Sequence, residues 1–125
     1  MNRGIMRVSE IVFIGLLMVA LNLAVSPSPA FSGEKAKATF KKSCASCHGV
    51  EGKGDGLMSA SFPVKPVDWT DCGAMKKLTD DKLFNTIKKG GAATGQSPLM
   101  PPWESALSDS QIKDLVAFVR GHCKK

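Results

Sequence analysis

Tyrosine is absent from this chain of 125 residues, and histidine and tryptophan each occur only twice. A site that runs on several proton-transferring side chains has little to draw on here. No stretch alternates apolar and polar residues over a useful strand length, which excludes a sheet-based fold. There is no internal repeat and no low-complexity segment, so repeat architectures are excluded as well. The net charge is +6, yet aromatic residues do not interleave with the basic ones, as a nucleic-acid groove would require. A mildly basic surface instead suits docking to acidic partners and faster encounter with them.

Only one long apolar run exists, Ile11 to Val25, and Asn22 interrupts it. Its length is about 15 residues, short of the ~20 that a membrane-spanning helix needs. Arg3 and Arg7 precede it, and Ser26-Pro27-Ser28-Pro29-Ala30-Phe31-Ser32-Gly33 follows. That order is the n-region, h-region and small-residue cleavage zone of a secretory signal. Residues 1–32 are therefore expected to be a cleaved signal peptide, cut after Ser32 or, as second choice, after Ala30. A retained membrane anchor is the alternative. No cysteine lies near the cleavage zone, so lipid attachment there is not expected. Residues 33–125 form the expected single domain. Losing Arg3, Arg7 and Glu10 takes the 17 basic and 11 acidic groups to 15 and 10, so the domain stays basic. A domain this small cannot build a large core from protein alone.

Within it the pattern is all-α with long loops. Ala36, Phe40, Cys44 and Cys47 recur at helical spacing among lysines, which predicts a first helix over residues 34–47. Gly49, Gly52, Gly54 and Gly56 then exclude helix. Residues 57–70, with Pro63 and Pro66, are expected to be mostly irregular. Thr79 or Asp80 can cap a helix that runs to Lys89, with Leu83, Phe84 and Ile87 inward and Gly90-Gly91 ending it. A proline-rich loop follows. Ser108 and Gln111 have the form of a capping box, and Ile112, Leu115, Val116 and Val119 follow at helical spacing to Gly121. Loops this long normally have a function.

Cys44-Ala45-Ser46-Cys47-His48 supplies that function. Cys-x-x-Cys-His reads as a c-type haem attachment site. Two thiols three residues apart on a helical turn can each form a thioether to a haem vinyl group, and His48 is then placed as the proximal iron ligand. A thioredoxin-like reading of the cysteine pair needs a βαβ context that is missing. A zinc site needs two further ligands at matching spacing, and Cys72 and Cys123 are isolated. Export agrees with haem, because thioether formation takes place outside the cytoplasm. One covalent haem c would also supply much of the apolar centre.

The sixth iron ligand decides what such a haem can do. Met100 leads, because Ser97-Pro98-Leu99-Met100-Pro101-Pro102-Trp103 is a stiff, proline-braced loop between two helices. A neutral thioether is a weak ligand and has to be held in place. Met75 is the runner-up. Met58 lies too close to His48 in the glycine-rich region to reach the opposite face. His122 is expected to be an exposed surface histidine.

On these residues the chain resembles a class I monohaem cytochrome c of the bacterial periplasmic type. The resemblance rests on Cys44–His48, on the Gly-Lys-Gly-Asp-Gly run at 52–56, on Met100-Pro101-Pro102-Trp103 and on the final helix. It spans essentially all of residues 34–122. It implies that the first and last helices cross, with haem between the central loop and the Met100 loop. It also implies that a proline carbonyl, here Pro63, accepts a hydrogen bond from His48 Nδ1. Trp69 and Trp103 are expected either to pack in the core or to touch the haem. Cys72 and Cys123 depart from the common pattern. In an oxidising compartment they suggest a disulfide, with two free thiols or an intermolecular bridge as alternatives.

The expected function is single-electron transfer in the periplasm by a monomer with His48/Met100 ligation. Its donor and acceptor would be redox proteins with acidic docking faces, meeting a haem edge ringed by lysines such as Lys53 or Lys65. Neither nucleic acid nor a small-molecule substrate is expected, and the protein is not expected to be an enzyme. A membrane-tethered cytochrome subunit of a respiratory complex is the alternative. A haem enzyme or gas sensor is a weaker one, because no distal acid–base residue is in evidence.

Overall fold

A computed structural model of the chain describes residues 33–123, and the leader expected over residues 1–32 lies outside them. The described residues form five helices and no strand: α1 (Gly33–Ser43), α2 (Ala45–His48), α3 (Cys72–Lys76), α4 (Asp80–Lys89) and α5 (Asp109–Gly121). Two 3₁₀ turns, Leu57–Ser61 and Ala92–Thr94, interrupt the long connections. No helix among the described residues is long and apolar enough to cross a membrane.

α1 and α5 pack against each other, and α4 packs against α5. α1 contributes Ala36 and Phe40, one turn apart and fully buried, while its lysines stay outside. Glu34 in its first turn and Lys41 and Lys42 in its last complement the helix dipole. α5 contributes Ile112, Leu115, Val116 and Val119. Its start is the capping box read from the sequence: the Ser108 N–H donates to Gln111 Oε1 at 2.9 Å, and the Gln111 N–H donates to Ser108 Oγ at 3.3 Å. Thr79 likewise caps α4, accepting from the Lys82 N–H at 3.1 Å. Gly90, at φ 82°, ends that helix.

Two elements depart from the sequence expectation. The first helix does not run unbroken to Cys47. It stops at Ser43, because Cys44 takes φ −120°, far from the helical value of about −63°. The hydrogen bonds nevertheless continue through the break. The Cys44 N–H reaches the Phe40 carbonyl at 2.9 Å, and the His48 N–H reaches the Cys44 carbonyl at 2.9 Å. The short helix α3 was not expected at all. Asp71 caps it, accepting from the N–H groups of Gly73 at 2.8 Å and Ala74 at 3.1 Å. A single turn containing a glycine carries too little periodicity to be read from sequence.

The core is small. Ala36, Phe40, Trp69, Met75, Leu115 and Val119 form one buried cluster, with Leu83, Ile87, Leu107 and Phe118 packed around it. Arg120, in the last turn of α5, ties this cluster's edges together. It donates to Asp80 Oδ1 at 2.7 Å, to the Met75 carbonyl at 2.7 Å and to the Leu78 carbonyl. One side chain thus fastens α5 to α3 and to the start of α4.

Candidate functional site

The break at Cys44 separates the two cysteines of the motif. Cys44 lies on the turn itself and Cys47 in α2, both half-buried and unpaired. Burial pushes the Cys44 thiol up to about 11, and the neighbouring Cys47 adds in the same direction. Burial also pushes His48 down to about 4. The imidazole is therefore neutral at pH 7, which is the form that binds a metal. His48 Nδ1 is buried and has no hydrogen-bond partner. The expected bond to the Pro63 carbonyl is not formed, and Pro63 itself is exposed. The His48 ring instead stacks on Trp69, with centroids 4.6 Å apart and planes 26° from parallel.

Two glycines bring the following loop back onto the motif. Gly52, at φ 71°, accepts the Trp69 N–H at 2.8 Å. A Cβ at Gly52 would lie 2.6 Å from Trp69 Cε3. Gly56 passes so close to α2 that a Cβ there would meet the Cys47 backbone carbon at 2.6 Å. Ser59 holds this crossing: its buried hydroxyl lies 2.7 Å from the Gly56 carbonyl and 2.8 Å from that of Gly54. Sequence reasoning missed Ser59, because nothing in a short polar stretch marks one serine as buried. Beside Trp69, the Thr70 hydroxyl and N–H both donate to Asp68 and hold its carboxyl below the usual range.

Met100 is presented by a loop closed at its neck. The Gly91 N–H donates to the Met100 carbonyl at 2.9 Å, and the Met100 N–H donates to the Ser97 carbonyl at 3.2 Å. Beyond the prolines, the Trp103 N–H reaches the carbonyls of Ile87 and Lys88 at the end of α4, both at 3.1 Å. On the other side Lys82 Nζ donates to the Thr94 carbonyl at 2.9 Å. Met100 is half-buried and is in contact with His48.

The remaining candidates fall elsewhere. Met75, the runner-up ligand, is buried in the core cluster on α3. Met58 stands exposed on the first 3₁₀ turn. His122 is not the exposed surface residue expected. It is half-buried, it meets Trp69 edge-on at 5.6 Å and Phe118 at 4.8 Å, and its Nδ1 lies 3.0 Å from the Phe118 carbonyl. Its place near the chain end concealed this, because Trp69 reaches it from 53 residues upstream. Trp69 belongs to the core while also touching His48. Cys72 and Cys123 are bonded to each other, with Cα atoms 5.2 Å apart.

These residues fit a covalently attached haem. The motif holds two unpaired thiols beside a neutral imidazole that has an unsatisfied buried nitrogen. Large apolar side chains on the surrounding loops also lie outside the core: Leu57 is 91% exposed, and Val64, Met58 and Leu99 are at least half exposed. Apolar exposure of this kind suits loops that wrap an apolar group.

Fold and site together define a c-type cytochrome domain. Residues 32–119 match the family model described as cytochrome c oxidase, cbb3-type, subunit III. The chain belongs to that family as a monohaem cytochrome c domain that carries electrons. Among curated relatives, it is 30% identical over 97 residues to the cbb3-type cytochrome c oxidase subunit FixPc of Rhizobium leguminosarum bv. viciae, covering 78% of this chain and 30% of that protein. It is 28% identical over 116 residues to subunit FixP of Bradyrhizobium diazoefficiens, covering 93% of this chain and 36% of that protein. The chain thus spans about a third of the length of the curated relatives it matches. A solved structure, the KustC0563 c-type cytochrome, superposes with a TM-score of 0.59 at 24% identity, covering 71% of this chain and 98% of that one. That likeness shows the fold, as the all-α expectation required.

Proposed function

We propose that the domain holds one haem c through Cys44 and Cys47, with His48 and Met100 as axial ligands, and passes single electrons between redox proteins. The contact between His48 and Met100 carries this reading. One residue ends the thiol motif, and the other is tied to the end of α4 by the Gly91 hydrogen bond. Haem bound there supplies a one-electron Fe(III)/Fe(II) couple. The chain's own task is to keep both ligands in place in either oxidation state. It does so by burying the neutral His48 against Trp69 and by bracing Met100 between Ser97 and the Pro101-Pro102 pair. Lys53 and Lys65 are exposed on the loop that follows the motif, and they suit an acidic partner met through a small, short-lived interface. The Cys72–Cys123 bond is read as a permanent structural link of an exported protein.

Intact mass and redox titration test this reading. The purified protein should carry the mass of one haem that denaturation does not remove. Cys44→Ala/Cys47→Ala should lose it, and the wild type should titrate as a single one-electron wave. A haem that dissociates on unfolding would contradict covalent attachment.

A second reading keeps the same chemistry and changes its reach. The family match to a cbb3-type oxidase subunit favours a domain that serves an oxidase complex from a membrane tether. In the first reading residues 1–32 are removed and the domain diffuses in the periplasm. In the second they are retained. The N-terminal sequence of protein recovered from soluble and membrane fractions separates the two.

A further inference from the structure

The proximal side of the site contains a feature that the expected ligand set does not include. We propose that Trp69 is the positioning residue of His48, and that its indole face, in place of a backbone acceptor, fixes the plane of the imidazole and tunes its donation to iron. This inference rests on the reading of His48 as an iron ligand.

Two observations at His48 point to this role. Its Nδ1 is buried without a hydrogen-bond partner, so no acceptor orients the ring from behind. Its ring face lies on Trp69 at 4.6 Å, close to parallel. An acceptor at the second nitrogen normally fixes a ligand histidine and raises its basicity. A stacked aromatic face can fix the ring plane without raising basicity, which leaves a weaker donor and favours the reduced metal.

Trp69 can serve as such a platform because it is itself held from several directions. It is 7% exposed. Its backbone N–H is anchored on the Gly52 carbonyl at 2.8 Å, and the missing Cβ of Gly52 leaves room for the indole. Phe40 packs on it tilted at 5.5 Å, and His122 meets it edge-on at 5.6 Å. Asp68 and Thr70 lock the backbone on either side of it through two short hydrogen bonds. A side chain that only filled the core would need neither the near-parallel approach to His48 nor this degree of restraint.

The test uses the haem-loaded protein, three variants at Trp69 and Gly52, and one control variant at His48. Trp69→Phe keeps an aromatic face, Trp69→Leu keeps apolar bulk without one, and Gly52→Ala pushes the indole without altering it. The readouts are haem content, midpoint potential and the ferric EPR spectrum. Trp69→Leu should retain haem but shift the potential and broaden the EPR signal as the His48 ring loses its single orientation. Trp69→Phe should restore both. If Trp69→Leu does not accumulate, Gly52→Ala should show the same broadening, and an unchanged EPR spectrum in it overturns the proposal. Equal shifts in Leu and Phe, or none in either, also overturn it, since filler would then suffice. His48→Ala provides the independent control. If it keeps the wild-type EPR spectrum, His48 is not the ligand, and the underlying reading fails rather than the role of Trp69.

Discussion

Gly91 donates its backbone N–H to the carbonyl of Met100 at 2.9 Å, so the glycine beyond the end of α4 holds the methionine nine residues later. The two backbones approach closely enough that a Cβ on Gly91 would collide with the Ser97 carbonyl and lie 3.2 Å from Met100 Cβ. A methyl group there forces the loop outward. Gly91→Ala should therefore leave haem attached but loosen Met100. Added imidazole should then bind the ferric protein at much lower concentration than in the wild type. An optical titration reads this directly, and an unchanged binding curve would mean that the neck of the loop does not position Met100.

Arg120 separates two kinds of polar contact. Its partner Asp80 is 74% exposed, and ion pairs of that sort are worth about 0–1 kcal/mol. Its other two bonds go to the Met75 and Leu78 carbonyls, and charged hydrogen bonds to partly buried carbonyls contribute about 1.5–3 kcal/mol each. Denaturant unfolding should thus show Arg120→Ala destabilised by about 3 kcal/mol or more and Asp80→Ala barely changed. Equal losses in the two variants would assign the effect to the ion pair instead.

The Cys72–Cys123 link joins residues 51 apart in sequence. Closing a loop of that length restricts the unfolded chain and should stabilise by roughly 4 kcal/mol. Replacing both cysteines with serine should lower the denaturation midpoint accordingly. The haem spectrum should stay unchanged, because neither residue belongs to the Cys-x-x-Cys-His motif. A changed spectrum would show that the link also shapes the site.

Gly56 adopts an ordinary φ of −60°, so its need for glycine is purely steric. Gly56→Ala places a methyl group against the Ser46 and Cys47 backbone and should lift the 57–61 turn away from α2. The yield of haem-loaded protein should fall several-fold, as measured by haem absorbance per unit of chain. Normal loading would show that the crossing can widen without cost.

The haem motif, the Met100 loop, α4 and α5 were legible in the sequence because their signals are local. Cys-x-x-Cys-His, the Ser108/Gln111 box and the Thr79 cap each lie within a few residues. What escaped was set by distant packing. The break at Cys44 depends on how the chain turns from α1 toward the glycine loop. The burial of His122 depends on Trp69, and the partner of His48 turned out to be an aromatic face rather than Pro63. The sequence leaves Trp69 between core packing and contact with the haem, because it does not show which side of a core residue faces the site. Helix α3 was too short to carry a period and became visible only through its Asp71 cap.

The central claim is that His48 and Met100 hold one haem iron between them. The most direct measurement is the optical spectrum of the purified protein, ferric and ferrous, for wild type and for Met100→Ala. The account predicts a weak far-red band from the sulfur–iron bond in the ferric wild type and no binding of carbon monoxide on reduction. In Met100→Ala the band should vanish and carbon monoxide should bind readily. A wild type that lacks the band and binds carbon monoxide on reduction would contradict the account and place an open iron site where it puts a methionine.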